Sequence, residues 1–249
     1  MIEMKDLCFS YERKKPFIEG LSGCMQDGQI TALAGPNGAG KSTALRLCAH
    51  LLTPASGSIQ MDGADVRRMD PRAFAHVASF LPQSRPVPMI SVEALVMHGR
   101  YAFTGMLGAP GESDRRAVRR ALEMTGLQAL AGRGLHTLSG GQRQKAYLAM
   151  LIAQEAKHIL LDEPLTYLDA ACQLEVMHIL DALRQEGRCI VMVLHDLALI
   201  PEWCDRAMVM HAGKLIFDGP AQEMVSSGAI EEAFGVRPVL KQRLAFEKD

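Results

Sequence analysis

No run of apolar residues in this chain of 249 approaches the roughly 18 that a membrane-crossing helix requires. Any association with a membrane is therefore expected to come through a partner. The N-terminus, Met1-Ile2-Glu3-Met4-Lys5-Asp6, lacks the charged-then-apolar order of a secretory leader. An excess of one charge is lacking too: 27 Lys and Arg stand against 28 Asp and Glu, and no global field favours nucleic acid. The six cysteines (Cys8, Cys24, Cys48, Cys172, Cys189, Cys204) form no C-x-x-C pair. Most sit among apolar neighbours, which favours buried reduced thiols over disulfides or a thiolate metal centre. Internal repeats, low-complexity tracts and linkers long enough to separate independent domains are absent. What remains is an ordinary globular composition, 48% hydrophobic and 22% charged, long enough to bury a full core.

Against this plain background one stretch stands out. Gly35-Pro36-Asn37-Gly38-Ala39-Gly40-Lys41-Ser42-Thr43 fits G-x-x-x-x-G-K-[ST]. Gln29 to Ala34 before it reads as a buried strand, and Ala44 to Leu52 after it has helical apolar spacing. In that context glycines turn successive backbone N–H groups into one concavity, and the helix start adds its positive dipole end. Lys41 is expected to reach the β- and γ-phosphates of a nucleotide and the Ser42 hydroxyl to sit on Mg²⁺. A glycine-rich turn capping a helix is the plainer alternative.

The remaining pattern alternates. Ile2 to Phe9 reads as a strand, and Ser58 to Met61 with Asp62-Gly63 as a hairpin edge. Asp70-Pro71 predicts a helix start, and Val77 to Leu81 a strand ending at Pro82-Gln83. Residues 84–157 read as all-helical, with Val92 to Met97 and Ser113 to Thr125 as helices and Tyr101 to Gly111 as a loop. Arg115, Arg116, Arg119 and Arg120 read as a solvated helix face. Ile159 to Leu161, Leu174 to Arg184 and Cys189 to Leu194 predict strand, helix and strand. Arg206 to Met210 and Lys214 to Phe217 flank a hairpin turn, and Gly219-Pro220 begins a short helix to Ser226. Residues 236–249 carry no period.

Two further constellations carry chemistry. The apolar strand ending in Asp162-Glu163 sets two carboxylates where ligands of open α/β sheets bind. Asp162 can hold the Mg²⁺ that Ser42 contacts, and Glu163 can accept a proton from an attacking water. Leu138-Ser139-Gly140-Gly141-Gln142 gives a second anion-facing helix start, with Ser139 as N-cap. A cap alone explains Ser-Gly-Gly, but not a second anion site.

Together with Gln83, Leu168-Asp169 and His195, these segments resemble the nucleotide-binding subunit of ATP-binding-cassette (ABC) transporters, in the family's order over about residues 1–235. The resemblance implies an α/β P-loop NTPase with a RecA-like core, an N-terminal antiparallel β-subdomain and an inserted helical subdomain. Residues 1–249 would form one ATP-binding domain: 1–83 and 158–235 the core with its β-subdomain, 84–157 the helical subdomain, 236–249 an extension. It implies ATP and Mg²⁺ as cofactors, and two copies assembled head to tail. Each ATP is then held between the phosphate loop of one copy and Ser139, Gly140, Gly141 and Gln142 of the other. In the implied roles Tyr11 stacks on adenine, Gln83 contacts Mg²⁺ or the water, Asp169 bridges the subunits, and His195 positions the water. Asp196 is expected to hold the His195 tautomer. Read without the family, Tyr11 is a core-packed aromatic, Gln83 a turn residue and His195 a satisfied polar group. Two positions depart from the pattern. His158 replaces the first apolar residue of its strand and is expected to weaken strand burial, and Lys145 stands where Arg is common.

Ser91-Val92-Glu93, Gly99-Arg100-Tyr101, Gln142-Arg143-Gln144, Leu168-Asp169 with Gln173, and His195-Asp196-Leu197 resemble the branch that takes up iron–siderophore, haem and cobalamin. An iron-chelate importer is the preferred expectation, haem or cobalamin the alternative. Where that branch commonly continues Pro-His after Tyr101, this chain has Ala102-Phe103. The expected partners are a transmembrane permease and, indirectly, a solute-binding protein, with the chain on the cytoplasmic side of the inner membrane. Permease contacts are expected near Gln83 and residues 84–110. Cassette ATPases of translation or DNA repair are the other class. The 54 residues between Gln83 and Leu138, without heptads, leave no room for the long coiled coils of chromosome work.

Overall fold

The computed structural model describes residues 1–12, 15–104 and 108–238. In chain order its elements are β1 (Ile2–Phe9), β2 (Ile18–Met25), β3 (Ile30–Ala34), α1 (Lys41–Cys48), β4 (Ser56–Met61), β5 (Ala64–Asp65), α2 (Pro71–Val77) and β6 (Ala78–Leu81). The helical stretch follows with α3 (Val92–His98), α4 (Tyr101–Thr104), α5 (Glu112–Met124) and α6 (Gly140–Gln154). Then come β7 (His158–Leu161), α7 (Ala170–Gln185), β8 (Cys189–Val193), α8 (Ile200–Trp203), β9 (Arg206–His211), β10 (Lys214–Pro220) and α9 (Ala229–Phe234).

Two sheets organise the chain. The smaller is antiparallel, in the order β2-β1-β4-β5. The larger runs β10-β9-β3-β8-β7-β6, with β9 to β6 mutually parallel and β10 antiparallel at the edge. Its inner strands are buried on both faces, which is why they read as continuous apolar runs. Alternation divides them between two cores. Ile30, Ala32 and Ala34 of β3, Ile159 and Leu161 of β7, and Ile190 and Met192 of β8 join the core built with α3, α5, α6 and α7. Leu33, Leu160, Val191 and Val193 point the other way, into the core shared with α1 and the antiparallel sheet.

Local chemistry sets the helix starts. Asp70 caps α2 by accepting from Ala73 N–H at 2.8 Å, with Pro71 in the first helical position. In α5, Val118, Ala121 and Leu122, with Thr125 just after it, are buried while Arg115, Arg116 and Arg119 stay exposed; Arg120, expected on the same solvated face, is half-buried and pairs with Glu186. Arg100 clamps the helical stretch from within. Its buried guanidinium donates to Asp114 Oδ1 at 2.9 Å, Ala153 O at 2.8 Å and Glu155 Oε2 at 2.7 Å, and lies over the Phe103 ring.

Several expectations need correction. Tyr101 to Gly111 is not all loop, because Tyr101–Thr104 forms the helical turn α4 that continues the Arg100 clamp. The helix after the phosphate loop begins at Lys41 and ends at Cys48, short of Leu52. Gly219-Pro220 closes β10, and only a 3₁₀ turn, Ala221–Val225, follows. His158 does not weaken burial of its strand: the side chain is fully buried, with Nε2 3.1 Å from Asp62 Oδ2. Asp62 belongs to an ion cluster with Asp27, Lys157 and the Met1 amine that ties the small sheet's turns to β7. Asp27, His158 and Cys189 bring ligand atoms within 4.8 Å of one another. The Asp27 carboxylate there is already paired with Lys157 and the Met1 amine, so the group is an ion-pair cluster in character. Most of the 236–249 stretch lies outside the described residues.

Candidate functional site

The parallel strands β3, β8, β7 and β6 are neighbours in that order, and each leads into a residue singled out by the sequence. Gly35 follows β3, His195 lies just beyond β8, Asp162 follows β7 and Gln83 lies just beyond β6. This is the edge where open α/β sheets take ligands.

The phosphate loop wraps the start of α1. Gly35 has φ 146, and a Cβ there would lie 2.2 Å from Met210 O, so only glycine fits. Lys41 is buried, and its Nζ donates to Gly35 O at 2.8 Å and Pro36 O at 3.0 Å. Burial pulls its ammonium below the ordinary pKa, and the carboxylates of Glu163 and Asp162 only partly offset this. A group so placed gains from an incoming anion. Phe17, Asn37, Gly38, Gly40, Lys41, Ser42, Thr43, Glu163 and His195 line one concavity of about 200 Å³. Pro36 and Ala39 hold the loop's turn, with Ala39 N–H donating to Pro36 O. Tyr11 is exposed; its hydroxyl is 2.9 Å from Thr43 Oγ1, and its ring sits edge-on to Phe9 and Phe17.

Asp162 is fully buried, and its Oδ1 accepts from Ser42 Oγ at 2.8 Å. Its Oδ2 has no hydrogen-bond partner among the described residues; Arg46 Nη2 stands 3.9 Å away. Burial raises this carboxyl above its ordinary pKa, opposed in part by the Ser42 hydroxyl and Arg46. A buried, orphaned carboxylate oxygen beside a serine hydroxyl is a hard oxygen donor set, and it fits Mg²⁺.

Glu163 takes the left-handed backbone conformation, φ 54. Oε1 lies 2.6 Å from His195 Nε2, while Oε2 accepts from Gln83 Nε2 at 2.7 Å and Thr166 Oγ1 at 3.1 Å. Burial alone would raise its pKa. The His195 contact, with Thr166 and Gln83, outweighs that and holds the carboxyl below its ordinary value. Glu163 is thus an ionised acceptor at neutral pH. Asp196 does not hold His195: its Oδ1 accepts from Ala198 N–H at 2.9 Å, closing a local turn.

Ser139 caps α6 by accepting from Gln142 N–H at 3.2 Å, while Gln142 Oε1 accepts from Ser139 N–H at 3.1 Å. Asp169 caps α7, accepting from Cys172 N–H at 2.8 Å. Ser139, Gly140, Gly141, Gln142 and Asp169 line a concavity of about 420 Å³ that shares no residue with the phosphate-loop concavity. A third concavity, of about 470 Å³, takes in Gly140, Tyr167 and Leu168 of the one and Glu163 of the other, so the two helix starts open onto distinct hollows with a common neighbour.

Some participants were not singled out in the sequence. Thr166 stands three residues after Glu163, the spacing of a local side-chain bond, and Arg46 follows Ser42 by one helical turn; both spacings were available to read. Arg85, stacked over the Tyr147 ring and donating to Gln144 Oε1 at 2.5 Å, has no local signal.

A family model described as ABC transporter matches residues 18–166. The chain is 38% identical to the ferric enterobactin transport ATP-binding protein of Escherichia coli over 88% of its own length and 82% of that protein's. It is 37% identical to the iron(3+)-hydroxamate import ATP-binding protein of Bacillus subtilis, again over 88% and 82%. Among solved structures, cbiO1 of Clostridium perfringens, part of an ABC transporter complex, superposes with TM-score 0.80 at 26% identity, covering 94% of this chain and 95% of that one.

Proposed function

The chain belongs to the ATP-binding subunits of ABC transporters, and we propose that it powers import of an iron chelate, working at the cytoplasmic face of the membrane. It is an ATPase, and cassettes of this family function as dimers with transmembrane permease partners. The iron-chelate reading draws on the iron-importing relatives at 37% and 38% identity and on the Gly99-Arg100-Tyr101 segment. A solute-binding protein upstream of the permease completes the proposed system.

One observation carries the mechanism: no residue lines both the phosphate-loop hollow and the Ser139–Gln142 hollow of one chain. A nucleotide that contacts both is, in this reading, shared between two chains placed head to tail. Tyr11 then stacks on adenine and residues 35–43 cradle the phosphates. Lys41 trades its bonds to Gly35 O and Pro36 O for phosphate oxygens. Ser42 and Asp162, with Gln83 at the edge, would hold Mg²⁺, which supplies charge neutralisation at the β- and γ-phosphates. Glu163 accepts the proton of the water attacking the γ-phosphate, His195 positions that water, and Gln83 links the reaction to the helical stretch. Ser139, Gly140, Gly141 and Gln142 of the second copy stabilise the spreading charge, and its Asp169 bridges the two chains. Exposed Val87, Met89 and Tyr101, beyond Gln83, suit a permease surface.

The reading is tested by co-purification from native membranes, followed by uptake of labelled ferric siderophore, haem and cobalamin in cells with and without the chain. Dependence of ferric siderophore uptake alone supports it. Dependence of haem or cobalamin uptake changes the cargo, and capture of ribosomes or DNA overturns the transport role.

A further inference from the structure

The starts of α6 and α7 touch at two successive levels. At the first, a Cβ on Gly141 would lie 2.7 Å from Cys172 Sγ, so the thiol already fills the space that any larger residue at 141 would need. One helical turn deeper, Lys145 Nζ donates to Glu175 Oε2 at 2.8 Å, with the two side chains only 17% and 28% exposed. Lys145 follows Gly141 by four residues and Glu175 follows Cys172 by three, so the contacts stack along both helix faces. Each helix start carries its own cap, Ser139 on one and Asp169 on the other, and both caps open onto the same hollow.

We propose that the Lys145–Glu175 ion pair, seated on the Gly141–Cys172 contact, locks these two helix starts into one body, making Lys145 and Glu175 positioning residues for hydrolysis on the opposite chain's nucleotide. Neither side chain lines the phosphate-loop hollow of its own chain; both line the wall of the hollow under the two caps, where each has the other as its ion-pair partner. Their action is geometric. Ser139–Gln142 and Asp169 must reach one nucleotide together, and a partly buried ion pair holds their spacing more firmly than an exposed one. Lys145 makes this bond as a point charge where an arginine would offer a fork, so the pair constrains distance more than orientation. The inference rests on the head-to-tail dimer proposed above.

The test uses the purified full chain. The ATPase rate per unsubstituted chain is first measured against protein concentration. A rate independent of concentration overturns the dimer reading itself and with it this proposal; a rising rate sets the stage for a double-mutant cycle. Lys145→Ala and Glu175→Ala are each expected to lower kcat by about tenfold, with the affinity of the single chain for a fluorescent ATP analogue within about twofold. The double variant is expected to be no slower than either single one, and Lys145→Arg to retain kcat. Unchanged kcat in the single variants overturns the proposal. So do losses that multiply in the double variant, or losses that only track the folded fraction seen by circular dichroism.

Discussion

His195 Nε2 lies 2.6 Å from Glu163 Oε1, joining the ends of two neighbouring parallel strands. The same carboxylate takes Gln83 Nε2 on its other oxygen. Two residues far apart in the chain thus meet on a single acceptor, which stays ionised because the His195 contact, with Thr166 and Gln83, outweighs its burial.

Replacing that acceptor is the sharpest test of its role. Glu163→Gln keeps the shape but cannot accept a proton, so kcat is expected to fall by about 10²- to 10⁴-fold while ATP binding persists. Size-exclusion chromatography with ATP should then show the dimer accumulating. Unchanged turnover would remove Glu163 as the base.

The buried imidazole of His158 predicts a pH dependence of stability. Burial and the Met1 amine hold its pKa below 6.5, only partly opposed by Asp62 and Asp27. Between the folded value and 6.5 the unfolded chain binds a proton that the folded chain does not. This contribution is therefore fully present above pH 6.5 and lost as pH falls through the window. Urea unfolding at a series of pH values should show that slope, and His158→Gln should flatten it whatever its effect at pH 7.5. A slope unaltered by His158→Gln would assign the proton uptake elsewhere.

Much of this was legible because the site lies at strand ends. Gly35, Asp162 and His195 each follow an apolar run, so pattern alone set them at the edge of a sheet. The convergence on Glu163 was not legible, because it depends on β6, β7 and β8 being neighbours, an order that no local spacing encodes. The adjacency of His195 and Asp196 suggested a partnership, whereas Asp196 closes a turn onto Ala198 N–H and His195 turns to Glu163. His158 misled for a related reason: a polar residue in a buried strand needs a partner, and Asp62 comes from a turn nearly a hundred positions earlier. Gly99-Arg100-Tyr101 read only as a mark of kinship, whereas Arg100 is the ionic centre of the helical stretch.

Removing that centre should be costly. Arg100→Ala leaves Asp114 buried without its cation, and a loss of about 3–5 kcal/mol is expected by chemical denaturation. Arg119→Ala, which breaks an exposed pair with Glu112, should cost at most about 1 kcal/mol. Equal costs would show that burial does not set the strength of the Arg100 clamp.

Thiol reactivity should divide the cysteines. Burial pushes Cys48, Cys189 and Cys204 up to about 12, leaving them protonated and shielded. Mass spectrometry after brief maleimide treatment of the native chain should find label only among the half-buried Cys8, Cys24 and Cys172, and on all six after denaturation. Native labelling of Cys189 would contradict its burial.

The strands β6 and β7 lie side by side, Ala78 level with His158 and Leu81 with Leu161, although the whole helical stretch runs between them in sequence. That stretch leaves the sheet and returns to the adjacent position, so the sheet closes beneath it as if nothing had been inserted. Its outer surface can therefore diverge to suit a different membrane partner while the strand ends that carry Gln83 and Glu163 keep their spacing. One engine can be refitted to many gearboxes, since the fitting and the combustion chamber are attached to the same block but cut from different pieces of chain.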